Sequence, residues 1–380
     1  MNRWFFIFAP AIACLCLLGG ALPVARGETL PAIHSSEAEL LADARDGELQ
    51  FDLIEAALIS GGVTDRGERA RLLRVRDARY AAIDLTAITR LPLRKRAPAL
   101  LVGLHREILR GKFRPTATLL QDTLANGDFN CVTATILFHD LCDRCNVPAE
   151  IVAQSGHVTS RLKSIQQEEI ETTRPDWFTR PEADVVIRSA IPPNSETKRI
   201  ISPAELLGRV YYNRALAALE QKQFAKAIEL LQLSLALDAR DHDARENLLA
   251  GLNNWALALC DSRDYLAAAE CISRGLQLHA SHTQLRSNDL HVHQKWVAQL
   301  CEQQDFSQAI EILEAGRSRR PEAALFSAGQ RAIYEAWLKQ CISAGDATTA
   351  AQILRESHQK FGPQAKLTLE ARPAVRTRQP

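Results

Sequence analysis

Three side chains in the middle of the chain have the types and the order of a thiol nucleophile with its base. Cys131 follows Gly127-Asp128-Phe129-Asn130 and opens the run Val132-Thr133-Ala134-Thr135-Ile136-Leu137-Phe138. His157 follows Ser155-Gly156, and Glu171 comes next after Glu168-Glu169-Ile170. An imidazole that takes the thiol proton leaves a thiolate able to attack an amide carbonyl. A carboxylate behind the imidazole fixes its orientation and supports its charge.

That chemistry requires elements that bring the three together. Asn130 is a good N-cap, which puts Cys131 in the first turn of a helix running to about Cys145. Unpaired backbone N–H groups and the positive end of the helix dipole stabilise a thiolate there. Residues 149–154, 157–162 and 168–173 read as short strands joined by tight connections. His157, Thr159 and Arg161 share one face of their strand, and Glu169, Glu171 and Thr173 share one of theirs. A hairpin pairing with an even residue sum puts His157 and Glu171 on the same face, opposite or diagonal to each other. Glu168, Glu169 and Asp176 are the other acids within reach of the same role. His139 with Cys142 and Cys145 invites a metal or dithiol reading, but one C-x-x-C pair inside a single helix, with no second pair, fits the core and flank of that helix better. No metal and no cofactor is expected.

The order Cys, His, acid resembles the transglutaminase-like cysteine-protease superfamily. The strings from Asp128 to Phe138, Gly156-His157-Val158 and Ile170-Glu171-Thr172-Thr173 are similar to bacterial transglutaminase-like proteins that carry tetratricopeptide repeats, as is Tyr211-Tyr212-Asn213-Arg214 after the core. The resemblance implies a papain-like α+β fold, with Cys131 as nucleophile, His157 as base and Glu171 as third member where the superfamily usually has Asp. It implies acyl transfer from a protein or peptide amide, resolved by water or by an amine. The backbone N–H of Cys131 is the oxyanion donor this reading relies on. A chain that kept the fold and lost the chemistry would be a scaffold, acting through its repeats alone.

The remaining sequence frames this core. From 36 to 113 apolar residues recur at spacings of three and four, the pattern of helices. Five prolines between 174 and 203 put a domain boundary near 190–205, so that the first domain spans roughly 36–190. Beyond it, over 205–362, the chain repeats with a period of 41: Trp255, Trp296 and Trp337 share a column, as do Phe224, Tyr265 and Phe306, and Ala227, Ala268, Ala309 and Ala350. Four helical repeats follow, resembling tetratricopeptide repeats with a longer period, and their surface suits a protein partner or substrate. The last copy has Ala347 in the aromatic column, as a capping repeat would. Residues 1–27 read as a signal peptide, which predicts export to the periplasm or the extracellular space, with membrane attachment only through an uncleaved segment. Cys14 and Cys16 would leave with it, and an odd number of cysteines would remain. Residues 363–380 are polar and basic, the composition of a disordered tail. With 46 Lys and Arg against 45 Asp and Glu, charge gives no reason to expect a nucleic-acid partner.

Overall fold

Side-chain caps decide where the first helices begin. Asp52 accepts from the backbone N–H groups of Ile54 and Glu55 to open α2 (Leu53–Ser60), and Asp65 accepts from Glu68 to open α3 (Arg66–Ala81). With α1 (Ser35–Asp43), α4 (Leu85–Thr89), α5 (Leu93–Glu107) and α6 (Leu120–Asn126) they form the helical approach to the site. The structure is a computed structural model, described over residues 34–163, 168–179 and 198–362. The expected signal segment 1–27, the tail 363–380 and most of the proline-interrupted connection lie outside the described residues. Among the described residues, no helix is long and apolar enough to cross a membrane.

The next helix, α7 (Cys131–Arg144), is buried from Val132 through Cys142 without interruption. A helix enclosed on every side is a central element, and α7 packs against α2, α5 and the sheet. The sheet has four antiparallel strands in the order β3-β2-β1-β4, with β1 Ala149–Gln154, β2 His157–Leu162, β3 Glu169–Ile170 and β4 Arg199–Ile201. Strands β1 and β2 have the bounds the alternation predicts. Only two residues of the third expected strand pair with β2. Strand β4 was not anticipated: its three residues lie in the proline-broken stretch and pair with β1 at Ile151↔Ile201. A two-residue turn, Ser155-Gly156, joins β1 to β2, and Gly156 takes φ 68°, the left-handed conformation such turns demand.

Beyond β4 the chain forms four antiparallel helix pairs: α8 (Pro203–Glu220) with α9 (Phe224–Leu237), α10 (His242–Asp261) with α11 (Tyr265–Leu278), α12 (Thr283–Glu302) with α13 (Phe306–Arg319), and α14 (Ala324–Ser343) with α15 (Ala347–Phe361). The second helix of each pair starts on the aromatic column and, in the last, on Ala347. Ala227, Ala268 and Ala309 are fully buried and let the paired helices approach, while Phe306 stacks on Trp337 of the following pair with ring centroids 6.1 Å apart. The apolar core is continuous from α1 through α12, with a second cluster in the last two pairs and Trp296 against both. Helix α8 joins the two halves. Tyr211 is fully buried there with its hydroxyl 3.5 Å from Glu37, and Arg214 donates to the carbonyl of Ser60.

The tight turn inside each pair shows what the repeat demands and where one copy falls short. Lys222, Arg263, Gln304 and Gly345 occupy the same position with φ between 58° and 75°. The next residue, directly before the second helix, is Asp264, Asp305 and Asp346 in three copies, which cap α11, α13 and α15 by accepting from backbone N–H groups, whereas Gln223 at the start of α9 makes no cap bond. Gln223→Asp is therefore expected to stabilise the protein by about 1 kcal/mol, measured as a raised urea midpoint at unchanged slope. An unchanged midpoint would show that water already serves those N–H groups.

Candidate active site

Cys131 is the first residue of α7 and is partly buried. Asn130 builds the helix start with a reciprocal capping box: its side-chain oxygen accepts from the N–H groups of Val132 and Thr133, each at 3.0 Å, and its own N–H donates to the Thr133 hydroxyl at 3.0 Å. The N–H of Ala134 goes to the Asn130 carbonyl. Of the N–H groups in this first turn, that of Cys131, beside its own thiol, has no partner among the described residues. The Asn130 amide also donates to the carbonyl of Pro115 at 3.2 Å, tying the cap to the loop before α6.

The segment feeding Cys131 is gripped by its neighbour. Gly111 N–H donates to Gly127 O at 3.0 Å, Lys112 N–H to the Asp128 carboxylate at 2.7 Å, and Arg114 N–H to Phe129 O at 2.9 Å. A Cβ on Gly111 would sit 2.3 Å from Asp128 Oδ1 and 2.6 Å from the Asp128 backbone nitrogen. Backbone cannot yield as a side chain can, so Gly111→Ala should displace 127–130 and cost about 1–3 kcal/mol. Thermal melting with peptide-level labelling of Cys131 would show both the loss and its location. Full retention of stability and labelling would mean that this loop does not hold the cap.

His157 and Glu171 come together as the even register requires. Pairing Ser160↔Ile170 and Arg161↔Glu169 puts the two on one face in diagonal positions, with His157 Nε2 2.7 Å from Glu171 Oε2. The other carboxylate oxygen accepts from the Thr173 hydroxyl at 2.7 Å and from the Thr173 N–H at 3.3 Å. Hydrogen bonds from His157 to Cys131 and then to Glu171 outweigh burial and raise the imidazole pKa to about 10. Burial works to raise the Glu171 pKa, but the hydrogen bond and charge of His157 and the donations of Thr173 hold it below its ordinary value. Since Nε2 is committed to Glu171, Nδ1 is the ring nitrogen left for the thiol. The three side chains are thus gathered at the junction of a helix start and a strand start, with His157 bonded to Glu171 and Cys131 close enough to raise the imidazole pKa.

Cross-links from α7 and α5 fix the sheet around this chain. The Thr135 hydroxyl meets the Thr172 hydroxyl at 2.9 Å, His139 Nε2 meets Ser160 Oγ at 3.0 Å, and His105 Nε2 meets the Thr172 carbonyl at 2.9 Å. Thr172 is fully buried, so the residue beside Glu171 is anchored from two helices. Burial depresses the His139 pKa to about 4, in keeping with a neutral ring bonded to Ser160. Cys142 and Cys145 are fully buried, and burial pushes the Cys142 thiol well above its ordinary pKa. Among the described residues no group of three or more His, Cys, Asp or Glu is placed to hold a metal. The other candidate acids are engaged elsewhere: Glu169 with Thr159 and Lys198, Asp176 with Arg174, while Glu168 is exposed. Thr173, Thr135 and His105 were not singled out from the sequence. Thr135 lies one helical turn after Cys131, and Thr173 lies two residues after the acid on the same face of the expected strand, so spacing pointed to both.

An open groove of about 590 Å³ between α4 and α5, lined by Ile83, Ile88, Val102 and Gly103 among others, includes none of the three residues. No family model matches the chain, and no curated protein matches its sequence.

Proposed function

We propose that this is an exported, thiol-dependent acyl transferase or peptidase with a transglutaminase-like, papain-like core, acting on protein or peptide amides. The observations that carry the reading are the His157–Glu171 hydrogen bond and Cys131 at a helix N-terminus, close enough to the ring to raise the imidazole pKa and favour the imidazolium. The Cys131 thiolate attacks the amide carbonyl carbon, forming a C–S bond, while the carbonyl electrons move to oxygen beside the N–H of Cys131. As the carbonyl re-forms and the C–N bond breaks, His157 passes its proton to the departing amine. Water or a second amine, deprotonated by the now neutral His157, attacks the thioester and releases the thiolate. Glu171 keeps its charge throughout and holds the ring. The helix pairs after β4 serve as a tetratricopeptide-like surface for the protein substrate or a partner.

p-Nitrophenyl acetate tests the covalent step without knowledge of the natural substrate. The reading expects a burst of nitrophenolate near one equivalent, the acetyl group on Cys131 by peptide mass spectrometry, and no burst in Cys131→Ala. Added glycinamide that speeds deacetylation identifies an amine acceptor; no acceleration identifies a hydrolase. Cys301, also partly buried, is the internal control. Acetylation of Cys131 no faster than Cys301 would overturn the proposal and leave the non-catalytic scaffold.

A further inference from the structure

The turn that delivers His157 is held from outside its own sheet. Ser155 Oγ donates to Asp243 Oδ1 at 3.0 Å, and Gly156 N–H donates to Asp243 Oδ2 at 3.2 Å. Asp243 lies in the first turn of α10. Buried Arg209 of α8 braces it: the guanidinium is 3.3 Å from Asp243 Oδ2 and 3.3 Å from Asp241 Oδ2. Asp241 in turn caps α10 by accepting from Ala244 N–H.

Strand β2 needs such a brace because its first residues lack a partner on one side. β1 pairs with it from His157 onward, but the described pairing with β3 begins only at Ser160. Residues 157–159 thus have sheet support from β1 alone, next to an exposed two-residue turn. A hairpin end of that kind frays unless something holds it.

We propose that Asp243 is a positioning residue for His157: by clamping Ser155 and Gly156 it sets where β2 starts, and it makes the first two helix pairs part of the active unit. This rests on the proposed thiol chemistry for its consequence, not for its geometry. The carboxylate accepts from the turn through both oxygens, so no single substitution on the turn reproduces its loss.

The test uses the full chain and the variants Asp243→Ala, Asp243→Asn, Ser155→Ala and the double variant Asp243→Ala/Ser155→Ala. Glu246→Ala is the control, since it removes a charge from the same end of α10 and, among the described residues, Glu246 pairs with His242 and makes no hydrogen bond or ion pair to the turn. Two readouts are followed: the iodoacetamide rate at Cys131 at about pH 6.5, and the nitrogen NMR signals of the His157 ring. Asp243→Ala should slow labelling about tenfold and move the ring toward the neutral pattern, because a displaced ring loses its partners. Asp243→Asn and Ser155→Ala should each show a smaller loss of about threefold, and the double variant should add nothing to Asp243→Ala. Wild-type values for both readouts in Asp243→Ala, or an equal effect of Glu246→Ala, would overturn the assignment. Slow labelling of the wild-type protein would overturn the proposed chemistry instead, and the ring signals of Asp243→Ala would still decide the positioning role.

Discussion

Replacing His157 by alanine should slow iodoacetamide labelling of Cys131 by roughly 10²-fold at about pH 6 and change it little at about pH 10. The thiolate is the reacting species, and an ordinary thiol is less than about 1% ionised at pH 6. In the wild-type protein the imidazolium beside Cys131, raised to about pKa 10, persists through the whole neutral range. Its charge favours the thiolate where an isolated thiol would stay protonated, and the gain is somewhat reduced because a stabilised thiolate is a weaker nucleophile. Above about pH 10 the imidazolium loses its proton and the advantage disappears.

Stability should follow the same titration. A group whose pKa is raised on folding contributes its full stabilisation below its unfolded value, about 6.5, and loses it as pH rises through the folded value. For His157 the window runs from about pH 6.5 to about 10. Urea unfolding of the wild-type protein should therefore show stability falling across that window more steeply than in His157→Ala. Equal labelling rates at pH 6 with parallel stability profiles would mean that the ring is a structural hydrogen-bonding group and nothing more.

What the sequence discloses here is what short-range physics determines. The start of α7 is legible because a cap is a contact between a residue and its third neighbour, and Asn130 with Thr133 makes that contact. The faces of β2 and β3 are legible because the pleat has period two, so parity alone puts His157 and Glu171 together. The 41-residue period is legible because each helix pair reuses one packing solution. By contrast, β4 has three residues and no alternation to betray it, and its only cause is an open edge on β1. The left-handed position in each repeat turn is hidden because Lys222, Arg263 and Gln304 share no side-chain type; Gly345 alone displays the backbone requirement. Asp243 is the hardest case. An acid in the first turn of a helix already has a local explanation in the helix dipole, and nothing local says that a turn 87 residues earlier will dock on it.

The acid makes the sharpest test of how the three groups work as a unit. Glu171→Gln preserves shape and removes charge. Its side-chain carbonyl can keep both donations from Thr173 only if its amide group faces His157. Nε2 must then accept, which puts the ring proton on Nδ1, the nitrogen that has to take a proton from the thiol. A wrong tautomer of this kind costs about 10²–10⁴-fold in turnover in triads of this design, and a loss in that range is the expected result for acetyl transfer from p-nitrophenyl acetate. Turning the amide round restores the acceptor toward His157 but sets its N–H against the N–H of Thr173. Glu171→Asp keeps the charge and loses about 1.5 Å of reach, so it can serve His157 or Thr173 but not both at the observed distances of 2.7 Å. Its loss should be about tenfold, between wild type and Gln. Thr173→Val, which removes one donor and leaves the carboxylate, should fall nearer to wild type. Charge and reach are thus separated by the ranking wild type, Asp, Gln. A Gln variant as active as wild type would show that the carboxylate only packs against His157, and that the imidazole keeps its tautomer and its proton by contact with Cys131.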